Sequence, residues 1–136
     1  MALEYRIDTD KRVVYAKGIG EVTAADIDRH EQALATDPDY RPPMTRIVDY
    51  RHLERHNISS AELQSISHRR AHQLETFGRE HLIFIVASDL VHARVRQTQA
   101  YLGESGMRVD LAWSLDEALA QAGLTAEDLL HVWEDF

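Results

Sequence analysis

The sequence predicts an α/β domain built on a single mixed, mainly parallel five-stranded sheet with helices packed against it. Three observations carry this expectation. Leu82-Ile83-Phe84-Ile85-Val86-Ala87 is an unbroken apolar run, the pattern of a central strand covered on both faces. Helix starts with a Ser or Thr followed by an acidic residue recur between strand-like segments. Strands separated by helices imply parallel pairing and right-handed crossovers. Two short segments at the front add one antiparallel hairpin.

In order along the chain, Leu3, Tyr5 and Ile7 alternate with Glu4, Arg6 and Asp8, the period-two pattern of a half-buried strand. Thr9-Asp10 supplies a turn and Val13-Val14-Tyr15-Ala16 the returning strand, which Gly18-Ile19-Gly20 is expected to end. Thr23-Ala24-Ala25-Asp26 places an N-cap oxygen and a first-turn carboxylate at the positive end of a helix. Ser59-Ser60-Ala61-Glu62 and Ser114-Leu115-Asp116-Glu117 match the capping box, and Thr125-Ala126-Glu127-Asp128 is of the same kind. Helices are therefore expected near 23, 59, 114 and 125, with another from Ser88-Asp89 to about Leu102. Strands are expected over residues 44–50, after Pro42-Pro43, and over residues 107–113, a one-sided edge. The order is β-β-α-β-α-β-α-β-α-α. Residues 1–124 form one domain, and residues 125–136 a helical extension packed on it. Leu129, Leu130, Trp133 and Phe136 share one side of that extension and would otherwise anchor a partner or a second copy.

Composition narrows the function classes. The 136 residues suit one domain. Cysteine is absent, which removes disulfides, thiolate metal sites and thiol catalysis. The formal charge of −8 makes nucleic acid a poor partner, because phosphate neutralisation needs a basic surface. Met1-Ala2-Leu3-Glu4-Tyr5-Arg6 holds no apolar run of signal-peptide length, and nothing approaches a membrane span. A cytoplasmic protein is expected.

Several motifs together resemble the STAS-like, SpoIIAA-like (anti-sigma factor antagonist) fold, itself related to CRAL-TRIO lipid-transfer domains. They are Gly20-Glu21-Val22-Thr23 leading to Asp26, Leu34-Ala35-Thr36-Asp37-Pro38, Ile47-Val48-Asp49-Tyr50-Arg51 and Ser60-Ala61-Glu62-Leu63. Ile85-Val86-Ala87-Ser88-Asp89-Leu90-Val91, Arg96 and Leu115-Asp116-Glu117-Ala118-Leu119 complete them. The resemblance spans about residues 3–122 and is similar above all to small stand-alone bacterial proteins of unassigned activity. It implies that a serine at the start of the helix after the third strand is phosphorylated by a partner kinase, within an Asp-Ser-Ser-Gly string. The corresponding stretch here reads His56-Asn57-Ile58-Ser59-Ser60-Ala61, with the serines in place and the aspartate and glycine missing.

Each candidate site has a plain structural alternative. Ser59 and Ser60 are candidates for phosphorylation or partner contact, and equally for a helix cap. Asp49, Arg51, Ser88, Asp89 and Arg96 are candidates for a ligand site, since Asp49 and Ser88 should lie at carboxyl ends of neighbouring strands. Alternatively Ser88-Asp89 caps a helix, and Asp49 pairs with Arg51 or Arg96. His68 and His72, like His52 and His56 in the preceding loop, are four apart, a metal-ligand spacing. His68 and His72 should nonetheless face solvent, opposite Leu63, Ile66, Leu74 and Phe77. Arg70 falls within that apolar stripe and should snorkel to the sheet edge. His30 should be a boundary or hydrogen-bonded core histidine. His92 follows Asp89 by three residues without a nucleophile, which makes no triad.

No cofactor and no metal are expected. The leading expectation is a non-catalytic regulatory or protein-interaction module, with a protein partner or a homodimer. The alternatives are a carrier of a small apolar ligand, needing a pocket of at least roughly 300 Å³, and an enzyme using Asp49 and Arg96.

Overall fold

The computed structural model describes residues 2–129, apart from the side chains of Leu74 and Glu75. The strands are β1 (Leu3–Asp8), β2 (Val13–Thr23), β3 (Thr45–Asn57), β4 (His81–Ile85) and β5 (Arg108–Ala112). Between and after them come α1 (Ala24–Ala35), α2 (Ser60–Ala71), the single turn α3 (Leu74–Phe77), α4 (Asp89–Gly103) and α5 (Leu115–Ala122), then a 3-10 turn (Ala126–Leu129). The sheet order is β1-β2-β3-β4-β5. β1 and β2 are antiparallel, and every later pair is parallel. The mixed α/β architecture read from the sequence is the one present, with β5 at its edge.

Caps define the helix starts. Thr23 and Ser59 each accept from the backbone N–H three residues on, while the acid at that position accepts from the cap's own N–H. Ser88 and Ser114 cap α4 and α5 through the same side-chain bond. At its far end α5 stops at Gly123, whose φ of 73° is left-handed.

Two strands are longer than expected. Gly18-Ile19-Gly20 does not end β2. The strand absorbs two register shifts against β3, one at each glycine, and continues to Thr23. Gly20 sits at φ 73°, so the second shift exploits a conformation that L side chains resist. β3 pairs with β4 only from Thr45 to Asp49, and beyond that with β2 alone. Residues 50–57 and 19–23 thus form a two-stranded ribbon overhanging the sheet. His52 and His56, expected in a loop, lie on it. Helix α3 was not foreseen, and the predicted extension contributes one 3-10 turn. Leu130, Trp133 and Phe136 lie outside the described residues.

The sheet separates two apolar layers. On one face Val48, Tyr50, Leu82 and Phe84 meet Leu63 of α2 and Val95 and Leu102 of α4, with Ile27 of α1 partly buried alongside. On the other, Ile47, Ile83 and Ile85 meet Ala118 and Leu119 of α5 and Leu129 of the 3-10 turn. From Leu82 onward β4 is buried on both sides, which is why its sequence is apolar at successive positions rather than at alternate ones.

Charge is buried in the first layer. Glu80, just before β4, is 1% exposed, and Arg46 of β3 and Arg70 of α2 are 3% exposed each. Both guanidiniums donate to the same Glu80 oxygen, Oε1, Arg46 at 2.7 Å. The Tyr40 hydroxyl donates to Oε2 at 2.6 Å, and Arg46 also donates to Glu31 at 3.1 Å. The Arg70 guanidinium lies 4.4 Å from the centre of the Phe77 ring. Arg70 therefore does not snorkel to the sheet edge; an internal carboxylate holds it inside. Burial alone would raise the Glu80 pKa, but Arg46, Arg70 and Tyr40 outweigh it and hold the carboxyl below its ordinary value.

His30 of α1 is buried edge-on to Tyr5, with ring centroids 5.6 Å apart. Contrary to expectation it is not hydrogen-bonded: neither ring nitrogen has a partner among the described residues. Burial first, and the nearby Arg46 charge second, push its pKa down from 6.5 to about 3.

Two outcomes are expected. Glu80→Ala strands two buried guanidiniums and should cost about 3–5 kcal/mol, read as a lower urea midpoint at unchanged m-value. A loss below about 1 kcal/mol, the range of an exposed pair, would contradict the network's role. Unfolded His30 takes up its proton near pH 6.5, whereas the folded residue resists until about pH 3. The unfolded state binds the extra proton in that window, so His30 lowers stability by up to about 1.4 kcal/mol per pH unit on acidification. Urea denaturation at a series of pH values should show a shallower slope in His30→Leu. Identical slopes would contradict the assignment.

Candidate functional site

Three polar regions contain or adjoin the residues singled out by sequence. The first is the exposed N-terminus of α2. Ser59 is spent on the capping box, accepting from Glu62 N–H at 3.1 Å while its own N–H donates to Glu62 at 2.9 Å. Ser60 is the first helical residue and faces outward. Its hydroxyl accepts from Arg94 Nη1 of α4 at 2.9 Å and lies 3.3 Å from Gln97 Oε1. The two serines are thus distinct: one closes the helix, the other presents an exposed oxygen to a guanidinium on the neighbouring helix.

The second is Asp49, fully buried on the α5 face of the sheet. Its Oδ1 accepts from the Arg51 backbone N–H at 3.0 Å and from Arg51 Nε at 2.9 Å. Its Oδ2 accepts from Arg51 Nη2 and the Tyr15 hydroxyl, both at 2.8 Å. Burial would raise the carboxyl pKa, yet these donors hold it below its ordinary value. They leave Asp49 ionised and enclosed. Ser88 caps α4, and Asp89 is the acid of that helix's first turn. Arg96 is exposed on α4, which packs on the opposite face of the sheet from Asp49. The five residues are therefore not assembled into one site. Asp49 also lies inside β3, although it is level with Ile85, the last residue of β4.

The third region was not proposed from sequence. A partly open cavity of about 70 Å³ lies between the sheet and α1, α2 and α4. Apolar side chains such as Leu63, Leu82 and Phe84 form most of its wall, and His30, Arg46, Ser67 and Arg70 interrupt it. At this edge buried polar atoms go unmatched: both His30 nitrogens, Glu31 Oε2, Arg46 Nε, His56 Nδ1, Ser67 Oγ, and Arg70 Nε and Nη1 have no hydrogen-bond partner among the described residues. Buried polar groups are ordinarily satisfied, so their concentration at one cavity is the feature to explain. Arg46 within an apolar strand and Arg70 within an apolar helical stripe were the signals available in the sequence.

Among the described residues the histidines do not gather into a metal-binding group. His68 and His72 lie on the exposed face of α2, and His72 Nδ1 is 2.8 Å from the His68 carbonyl oxygen. On the ribbon, His52 is exposed, whereas His56 packs edge-on to Tyr50 at 5.8 Å. No group of three or more His, Cys, Asp or Glu side chains positioned to hold a metal occurs among the described residues. His92 stacks on the exposed Trp113, ring centroids 5.0 Å apart, rather than pairing with Asp89.

No protein-family model matches the chain, and no curated protein matches it. Among solved structures, the chain is similar to the crystal structure of an uncharacterized protein of the DUF3478 family, with a SpoIIAA-like fold, from Shewanella loihica PV-4. The two align with a TM-score of 0.55 and 15% identity, covering 89% of this chain and 92% of that one. At such identity the likeness concerns architecture alone, and the relation to CRAL-TRIO domains is not shown by it. The chain has a SpoIIAA-like, STAS-type fold.

Proposed function

We propose that this protein is a non-catalytic regulatory module that presents the N-terminal end of α2 to a protein partner, with Ser60 as the residue modified. The carrying observation is the 2.9 Å approach of Arg94 Nη1 to the exposed Ser60 hydroxyl at a helix N-terminus. A phosphate on Ser60 would gain the Arg94 charge, the positive end of the helix and its unspent amides. The capping box at Ser59 keeps the helix start formed in either state. The SpoIIAA-like architecture supports the reading, because the resemblance puts its phosphorylated serine at the start of this helix.

The alternatives find less support. An apolar-ligand carrier needs a chamber several times larger than the 70 Å³ cavity. An enzyme using Asp49 and Arg96 would need them on one side of the sheet, and Asp49 is enclosed by Arg51 and Tyr15. Among the described residues no helix is long and apolar enough to cross a membrane.

Intact mass of the protein isolated from its own cells, before and after phosphatase, tests the proposal. A phosphate-bearing fraction is expected, and Ser60→Ala should remove it while shifting stability by no more than about 0.5 kcal/mol. Ser59→Ala should instead cost about 1 kcal/mol through the lost cap. Absence of any modified fraction, together with no partner retained by the wild type and lost by Ser60→Ala, would overturn it.

A further inference from the structure

The cavity beneath α2 is independent of the Ser60 surface. We infer that it binds a small monocarboxylate, whose oxygens meet Arg70, Arg46 and Ser67 and whose short apolar body lies against Leu63, Leu82 and Phe84.

Charge at the cavity is balanced, and donors are in surplus. The ionised groups at the cavity are Arg46 and Arg70 with Glu80 and Glu31, two positive and two negative, so the cluster is neutral as a whole. Glu31 is 22% exposed, and its Oε2 is buried without a partner among the described residues. His30 contributes no charge above about pH 3. The unspent donors on the two guanidiniums, rather than a net charge, favour an acidic ligand.

Hydrogen-bonding capacity sets the chemistry of the ligand. Arg46 Nε and Arg70 Nε and Nη1 are three unspent donor atoms, and the Ser67 hydroxyl is a fourth. Arg46, Arg70, Ser67 and His30 are each more than nine-tenths buried, at 2–7% exposure, and all line the cavity. The guanidiniums are neighbours, because both donate to Glu80 Oε1. Guanidinium donors, joined by a hydroxyl, suit the two oxygens of a carboxylate.

Volume sets the size. A cavity of about 70 Å³ holds roughly five water-sized particles. That accommodates an acid of about four carbons and excludes a fatty-acid chain. An approach exists: a second cavity of about 190 Å³, between α1 and α2, shares Glu31, Ile66 and Arg70 with the inner one.

Sodium isobutyrate is the probe, with isobutyramide as the uncharged isostere, decanoate as the long-chain acid, and sodium chloride at matched ionic strength. Amide NMR spectra should show saturable isobutyrate shifts at Ser67, Arg70 and Phe84, with binding of isobutyramide at least about tenfold weaker, as expected when charge-assisted bonds are lost. Decanoate should leave these amides unmoved. Ser67→Leu, which grows an apolar side chain into the cavity and leaves the ion network intact, should fold and abolish the response. Arg70→Met should weaken it about tenfold. Unsaturating shifts indistinguishable from sodium chloride, equal binding of acid and amide, or undiminished binding by folded Ser67→Leu would each overturn the inference. None of these results touches the Ser60 proposal, whose readout is a covalent mass.

Discussion

The Glu80 carboxylate is the constraint on which the helical layer depends. It stands at the entrance to the central strand and receives one guanidinium from β3 and another from α2. Apolar contacts alone would let α2 settle in several registers over a flat aliphatic surface. A buried ion with fixed partners does not. Removing Glu80 strands both guanidiniums away from water, a far larger penalty than losing a methylene contact. Tyr40 and Phe77 complete the enclosure, so the loop before β3 and the turn α3 are drawn to the same point.

That constraint makes α2 a helix with two differently furnished ends. Ser59 and Ser60 lie at its exposed start, and Ser67 and Arg70 at its buried finish. One rigid element therefore touches both the surface read by a partner and the cavity wall. A twelve-residue helix is about 18 Å long, short enough that a change of position at either end is felt at the other.

Much of this architecture is legible in the sequence, for identifiable reasons. The continuous apolar run of β4 declares a strand covered on both faces, and four side-chain caps declare α1, α2, α4 and α5 to within about a residue. Local chemistry writes such signals directly. The length of β2 was not legible, because glycines that read as a stop serve instead as register shifts inside a ladder. The length of β3 was hidden by the charged residues 51–57, which look like loop yet sit on an overhanging ribbon. Ser59 and Ser60 stand where the resemblance puts them. Asp49 and Arg96 were grouped by proximity to strand ends, and only the sidedness of the sheet separates them. The cavity was invisible for a deeper reason: Arg46, Arg70, Glu80 and His30 come from four separate segments, and no spacing rule links them.

The overhanging ribbon carries one more implication. Beyond Asp49 the outer rim of β3 has no neighbouring strand, and beyond Gly18 the same is true of β2 on its other side. Unsatisfied main-chain groups along such rims invite a passing molecule to dock as an additional strand. Here Arg51, His52, Glu54 and Arg55 crowd one rim with charge and bulky polar groups, and the kink at Gly20 bends the other. The protein thus carries its own deterrent to self-templated fibre growth, placed where its hydrogen-bond ladder runs out.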